Sequence, residues 1–196
     1  MAIDHGYLSL AEFKEAIDDT MSVGDNNALY ERAIETASRQ IDDFRGDQFW
    51  KSSNPTARWF RPDHPRMLWT GDIATTDSLA VKIDTLGDGT FATTWATSDW
   101  QAEPLVRRNG RPYTRLIATG SKCFPMGCWR ASVEITATWG WPNVPIQVKQ
   151  ACQILAIDHF RSRELTGGVA SFGDAGPIRV SAFNPIARAL LQELEL

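Results

Sequence analysis

Val133-Glu-Ile-Thr-Ala-Thr-Trp139-Gly-Trp141-Pro-Asn-Val-Pro145-Ile-Gln-Val-Lys-Gln-Ala151 changes its apolar period midway, and that change decides the fold. Before Gly140, Val133, Ile135 and Ala137 alternate with polar residues, as a half-buried strand requires. After Pro145, residues Val148, Ala151, Cys152, Leu155 and His159 recur at helical steps, which predicts a helix over residues 146–165. Pro142 and Pro145 punctuate the exit from the sheet. Pro145 suits the first helical position, where a missing N–H costs nothing. Trp139-Gly-Trp141-Pro142 reads as a corner that packs sheet onto helix.

Upstream of this junction the chain reads as antiparallel β. Residues 78–86 alternate, with Leu79, Val81 and Ile83 on one side. Gly87-Asp88-Gly89 predicts a tight hairpin turn, because Asp-Gly supplies the positive φ of a type I′ turn. Residues 90–95 would return as the partner strand. Residues 58–60, 113–118 and 129–139 are further strands, the last the strongest. About five to six strands suffice for a small barrel or sandwich. All eight Trp lie between Trp50 and Trp141.

On both sides of the β segment the pattern is helical. Ser9 and Glu12 form a capping box, followed by Leu10, Phe13 and Ile17 at helical spacing. Gly24 breaks this helix. Asp25 or Asn26 can cap a second, with Leu29, Ala33, Ala37, Ile41 and Phe44 as its apolar stripe and Gly46 as its stop. Gly167-Gly168 ends the long helix. Residues 169–182 are rich in Gly, Ser and Ala and show neither period over their whole length. Asn184-Pro185 then starts a short helix with Ile186, Leu190, Leu191 and Leu194 on its apolar face. The fold class is therefore α+β. Two N-terminal helices, a long helix and a short C-terminal helix form a scaffold, residues 1–50 and 141–196. A small antiparallel β domain, residues 51–140, is inserted into it.

Charge follows the same division. The chain of 196 residues has net charge −4. Residues 1–50 carry −7, residues 51–130 carry +4 and residues 131–196 carry −1. The overall balance argues against a general nucleic-acid binder, which needs a basic face. Three cysteines make no disulfide framework and suit a reducing compartment. No apolar run approaches a membrane span, and residues 1–10 lack the basic start and apolar run of a signal peptide. The composition reads as a soluble, cytosolic, globular chain.

Catalytic and ligand motifs fare poorly. Gly87-x-Gly89-x-x-Ala92 matches a dinucleotide fingerprint in form, but strand-like Thr93-Thr-Trp95 follows where a helix N-terminus must hold the pyrophosphate. A calcium loop around Asp84 and Asp88 lacks its carboxylate at the twelfth position, which is Trp95. Cys123 and Cys128, even with His64 or His159, lack the second close pair that a zinc site wants. Nucleophile-elbow, phosphate-loop and metalloprotease motifs are missing, so no enzyme, cofactor or metal is expected. The Trp set reads as β core or interface ahead of a glycan platform. Arg107-Arg108-Asn109-Gly110-Arg111 is a basic turn, either a solvated tip or a contact for an acidic surface or phosphates.

Three stretches carry a resemblance. They are Leu8-Ser-Leu-Ala-Glu-Phe-Lys14, the segment from Ala28 to Ile41 ending in Phe44-Arg-Gly46, and the Val133–Ala151 junction, whose Trp-Gly-Trp-Pro…Val-Pro…Val-Lys-Gln-Ala run is the most specific. With them the chain resembles head–tail connector (adaptor) proteins of tailed bacteriophages and gene transfer agents. Smaller members are almost all helical, so the β segment would be an insertion. The resemblance implies a twelvefold ring of the chain with itself, docked under the portal protein in the virion neck and assembled in the host cytoplasm. Such a ring would meet the next neck or tail protein and extend a channel through which double-stranded DNA passes unbound. No membrane is involved. It implies a C-terminal docking arm, residues 169–196, with Phe172, Ile178, Val180, Phe183, Ile186, Leu190 and Leu194 as portal contacts. Glu31, Glu35, Asp42 and Asp43 would face the channel, and Arg107, Arg108 and Arg111 would make the basic loop contact. A stopper or tail-completion neck protein, or a Trp-rich glycan-binding β module, are the alternatives.

Overall fold

The computed structural model describes residues 5–17, 26–127, 129–162, 169–171, 177–179 and 183–195. The chain divides into two compact units, one of Met1–Phe49 with Val144–Leu196 and one of Trp50–Asn143. The first is helical and the second is a β unit.

In the helical unit, α1 (Leu10–Ala16) starts at the capping box. The Ser9 hydroxyl accepts from the Glu12 N–H at 3.2 Å, and the Ser9 N–H donates to Glu12 Oε2 at 2.8 Å. Helix α2 (Asn27–Arg45) follows Asn26, which makes no side-chain cap bond, and ends on Gly46 at φ +67°. Its buried face is Tyr30, Ala33, Ile34, Ala37, Ser38 and Ile41. The expected stripe was out of phase at its start, since Leu29 is exposed and Tyr30 and Ile34 take the inner positions. Helix α3 (Ile146–Ser162) begins at the expected residue. Pro145 lies outside it, and its carbonyl accepts the first helical bond from Lys149 N–H at 3.1 Å. Val148, Ala151, Cys152, Leu155 and Ala156 are its buried residues. Helix α4 (Pro185–Gln192) is capped by Asn184, whose side chain accepts from Ile186 N–H at 2.9 Å. Phe13, Tyr30 and Phe160 pack edge to face or tilted, with centroids 4.9–6.3 Å apart, which favours them beyond the apolar area they bury. Gly24, Gly167 and Gly168 lie outside the described residues.

The β unit is one six-stranded antiparallel sheet, not the two sheets of a sandwich. Its strands are β1 (Thr56–Phe60), β2 (Met67–Ile83), β3 (Thr93–Trp95), β4 (Trp100–Glu103), β5 (Tyr113–Ala118) and β6 (Val133–Trp139), in the order β1-β6-β2-β5-β4 with β3 on β2. Strand β2 is far longer than the 78–86 segment expected. It pairs β5 along its first part and β3 along its last, and β6 on its other side, with register shifts between Trp69 and Ala80. Such irregularities bend a strand and raise its twist. One core results, including Leu68, Ile73, Val81, Trp95, Leu116, Phe124, Ile135 and Trp139.

The tight two-residue turn at Asp88-Gly89 is corrected. Ile83 pairs Thr93, so residues 84–92 form a long loop. The Asp84 carboxylate organises it, accepting from Leu86, Gly87 and Gly89 N–H at 2.7–3.1 Å. Burial alone would raise the Asp84 pKa, but these backbone bonds together hold it below the ordinary value. Residues 169–182, expected to lack strands, include β7 (Val169–Ser171) paired antiparallel with β8 (Pro177–Arg179).

Candidate functional site

The candidate residues fall in three places. The first is α2. A polar network runs beneath its C-terminal half and engages Asp42. The Tyr7 hydroxyl donates to Asp42 Oδ1 and accepts from Phe49 N–H at 2.9 Å. Tyr7 N–H donates to Ser38 Oγ at 3.1 Å, and Arg39 pairs Asp42 at 3.3 Å while donating to the His5 carbonyl at 2.9 Å. Burial raises the pKa of Asp42, and burial with the Asp42 bond raises that of Tyr7. Asp42 is thus half-buried and occupied inside its own unit, which removes it from a solvent-facing acidic row. Glu31 is half-buried as well, whereas Glu35 and Asp43 are exposed. They line a groove of about 440 Å³ with Arg32, Arg39, Gln40 and His159. His159 Nε2 lies 2.8 Å from Gln40 Oε1, and burial pulls its pKa down. Cys152 is buried 3.5 Å from Ser38 Oγ, with its thiol pushed up to about 11 by burial. That suppresses the thiolate a nucleophile would need.

The second place is the C-terminal helix. The face of α4 that packs on the rest of its unit carries Ala187 and Leu191, while Leu190 and Leu194 are half-buried. Ile186 is 64% exposed and does not share the inner face with them. Phe183 stacks on Phe44 with centroids 4.5 Å apart, and Arg188 sits over the same Phe44 ring at 5.5 Å. The Asn184 side chain also donates to Asp158 Oδ2 at 2.8 Å. Phe172 and Val180 lie outside the described residues. Ile178 pairs Ala170 in the β7–β8 ladder.

The third is the loop between β4 and β5. Arg107 is held within the β unit, its guanidinium 4.3 Å from the Tyr113 ring centroid and donating to the Ala74 carbonyl at 3.3 Å. Arg111 is half-buried and Arg108 is exposed. A 3-10 turn spans Arg108–Gly110, with Gly110 at φ +66°. The structure therefore gathers neither the acids nor the arginines into one cluster. Among the described residues no group of three His, Cys, Asp or Glu could hold a metal ion, and no helix is long and apolar enough to cross a membrane.

The sequence reading missed which tryptophans reach solvent. Trp95, Trp100, Trp139 and Trp141 are buried, whereas Trp59, Trp69 and Trp129 are exposed. Trp59 Nε1 donates to Glu134 Oε2 at 3.1 Å, and Glu134 pairs Lys82. Trp69 lies beneath Arg115, which pairs Glu103 at 2.9 Å. Strand parity could have separated Trp59 and Trp69 from the core, because each sits one residue from an inward position.

No family model and no curated protein matches the chain. Solved structures that contain a chain of similar fold include three of gene transfer agent particles. One is the neck of an empty gene transfer agent particle computed with C6 symmetry, at 20% identity and TM-score 0.59. Another is the neck of the native particle computed with C12 symmetry, at 22% identity and TM-score 0.55. The third is the virion of the native particle, at 20% identity and TM-score 0.54. In each, the match covers 98% of this chain and 91% of the other.

Proposed function

We propose that this chain is a structural neck protein of a tailed phage or gene transfer agent, specifically the adaptor. Copies form a twelvefold ring under the portal, extend the DNA channel and join capsid to tail. The observation that carries this reading is the likeness of fold over nearly the whole chain to chains in gene transfer agent necks. The match spans both units, which supports reading the β segment as part of the common fold. The charge distribution supports the same reading. Glu35 and Asp43, exposed on α2, would repel DNA phosphates and keep passing DNA from adhering. Residues 169–196 would dock on the portal, with exposed Ile186 as an apolar contact that the subunit does not itself use. Phe183 would serve the arm indirectly by anchoring it on Phe44. Arg108 would meet an acidic surface of the neighbouring ring.

The test mixes the full chain with its portal and images the product by electron microscopy. A twelvefold ring on the tail-facing side of the portal is expected. Portal particles without added density would overturn the adaptor reading. A glycan-binding β module is the second reading, favoured by exposed Trp59 and Trp69 beside charged partners. Binding on a glycan array without any portal association would select it.

A further inference from the structure

Two rows of side chains on the β unit are built alike. Across β1, β6 and β2, Trp59 lies in register with Glu134, and Glu134 with Lys82. Across β2, β5 and β4, Trp69 lies in register with Arg115, and Arg115 with Glu103. Each row is one tryptophan, one acid and one base. Both rows lie on the face of the sheet turned away from the core. Their neighbours along the strands, among them Leu68, Ile83, Ala102, Leu116 and Ile135, are the ones buried in it.

In each row the indole is held and still open. Trp59 is 60% exposed, and its Nε1 donates to Glu134 Oε2 at 3.1 Å. Trp69 is 53% exposed, with the Arg115 guanidinium 5.4 Å from its ring centroid. The polar groups beside them are equally fixed. Glu134 accepts from Lys82 Nζ at 3.1 Å and Glu103 from Arg115 Nε at 2.9 Å, while Gln101 Nε2 donates to Glu103 Oε1 at 3.4 Å. All four charged side chains keep part of their surface in solvent.

This composition narrows the ligand. Each acid already has its base, so a row is neutral and offers a polyanion or a polycation no net attraction. An exposed ion pair is worth little to the fold, so its donors and acceptors can be shared with a ligand. A tryptophan face takes apolar C–H surface. The pair beside it makes charge-assisted hydrogen bonds with neutral hydroxyls, which accept from the base and donate to the acid. A sugar ring has that combination: an apolar face, hydroxyls at its rim and no charge. An apolar protein side chain has the face without the hydroxyls, and would cover the pair without satisfying it.

We propose that the outer face of the β unit binds neutral saccharides at two subsites, one pyranose ring on Trp59 beside Glu134 and Lys82, another on Trp69 beside Arg115 and Glu103. This rests on the glycan-binding part of the second reading and deepens it by naming two subsites and their polar groups. It is compatible with a place in the neck.

NMR of the indole N–H groups of the full chain tests it. The titrants are neutral oligosaccharides of glucose, mannose, galactose and N-acetylglucosamine, with a heparin oligosaccharide as the polyanionic control. The Trp59 and Trp69 signals should both shift with at least one neutral sugar and stay still with heparin. Trp59→Ala should weaken binding at its own row about tenfold and leave the Trp69 response unchanged, and Trp69→Ala should do the converse. Glu103→Gln keeps the ring but leaves Arg115 unpaired. It should weaken the neutral sugar about threefold at Trp69 and let heparin shift that signal alone. Still indoles with every neutral sugar overturn the subsites. So does an equal response of the unaltered chain to heparin, or loss of both responses from one tryptophan change in a chain that melts normally. Portal association of the same preparation is scored by electron microscopy. Indole shifts in a chain that also docks on the portal uphold the subsites and refute a free-standing glycan module. Portal docking with still indoles refutes the subsites and leaves the neck reading intact.

Discussion

Gly140→Ala should damage the β unit far more than any other glycine-to-alanine change in it. Gly140 follows β6 at φ +97°, and its N–H donates to the Asp72 carbonyl at 2.9 Å. A Cβ built there would overlap the Trp50 carbonyl oxygen and lie 3.0 Å from the Trp50 carbonyl carbon. These are backbone atoms, so no side chain can swing aside. The backbone must move, and it is pinned nearby by Ser52. Ser52 N–H donates to the Trp139 carbonyl at 2.8 Å, and Trp139 N–H donates to Ser52 Oγ at 2.9 Å. Positive φ for a residue with a Cβ costs about 1–3 kcal/mol. Losing two or three of the local hydrogen bonds adds about 1 kcal/mol each. The sum, about 3–6 kcal/mol, corresponds to a fall in thermal midpoint of roughly 6–24 °C for a chain of this size. Gly120→Ala is the internal control. Gly120 also has positive φ, at +57°, but a Cβ there meets nothing within 4 Å. Only the conformational cost of about 1–2 kcal/mol remains. Differential scanning calorimetry on both variants decides the matter. Equal falls would refute the close-approach argument and leave φ alone as the reason for glycine.

Four further outcomes are expected. Tyr7→Phe strips Asp42 and the Phe49 N–H of a shared partner and should cost about 1–3 kcal/mol in urea unfolding; a loss under about 0.5 kcal/mol would show the network to be idle. Leu191→Ala, at a fully buried position of α4, should cost about 2–5 kcal/mol, whereas Ile186→Ala should leave the melt unchanged and weaken portal binding in a pull-down. The Glu12 carboxyl is held down to about 2, chiefly by the Ser9 N–H and then by Lys149. Its contribution is therefore present above the unfolded pKa near 4.5 and is lost as pH falls towards 2. Glu12→Gln should remove that part of the acid sensitivity of α1, read by circular dichroism from pH 5 to pH 2. Changing Glu35 and Asp43 together to Lys should slow DNA passage at low salt, with recovery as salt screens the contact; unchanged passage at both salt levels would place α2 away from the channel.

Local signals survived folding best. The Ser9–Glu12 box, the Gly46 stop and the Asn184 cap each depend on residues within a turn of one another, and each stands where the sequence put it. Strand β5 was legible over its full length, residues 113–118. Strand β2 was not. Its early part contains Gly71, and its register shifts between Trp69 and Ala80. Each shift resets which side chains face the core, so no single period of two runs its length. The Asp84 loop was misread because Asp88-Gly89 is a turn signal in isolation, while the carboxylate that shapes the loop lies outside that pair. On α2 the phase slipped because Leu29 and Tyr30 are both apolar and adjacent, and only tertiary packing chooses between them.

The candidate sites were legible as residue types and not as positions. Asp42 and Asp43 look identical in sequence, yet one closes a buried network and the other faces solvent. Arg107 and Arg108 differ in the same way. The cause is physical. An inward acid or arginine is retained where a specific partner offsets its desolvation, here Tyr7 with Arg39 for Asp42 and the Tyr113 ring for Arg107. Tyr7 lies 35 residues from Asp42, beyond the reach of any local pattern. Among the residues that remain outward after such pairing are Glu35, Asp43, Arg58, Arg61, Arg108, Ile186 and Trp59. Those residues divide by unit into acids on α2 and bases on the β unit, and the units carry net charges of −7 and +3. The proposed ring would need two different faces on each copy that attract. Net charges of opposite sign on the two units would meet that requirement.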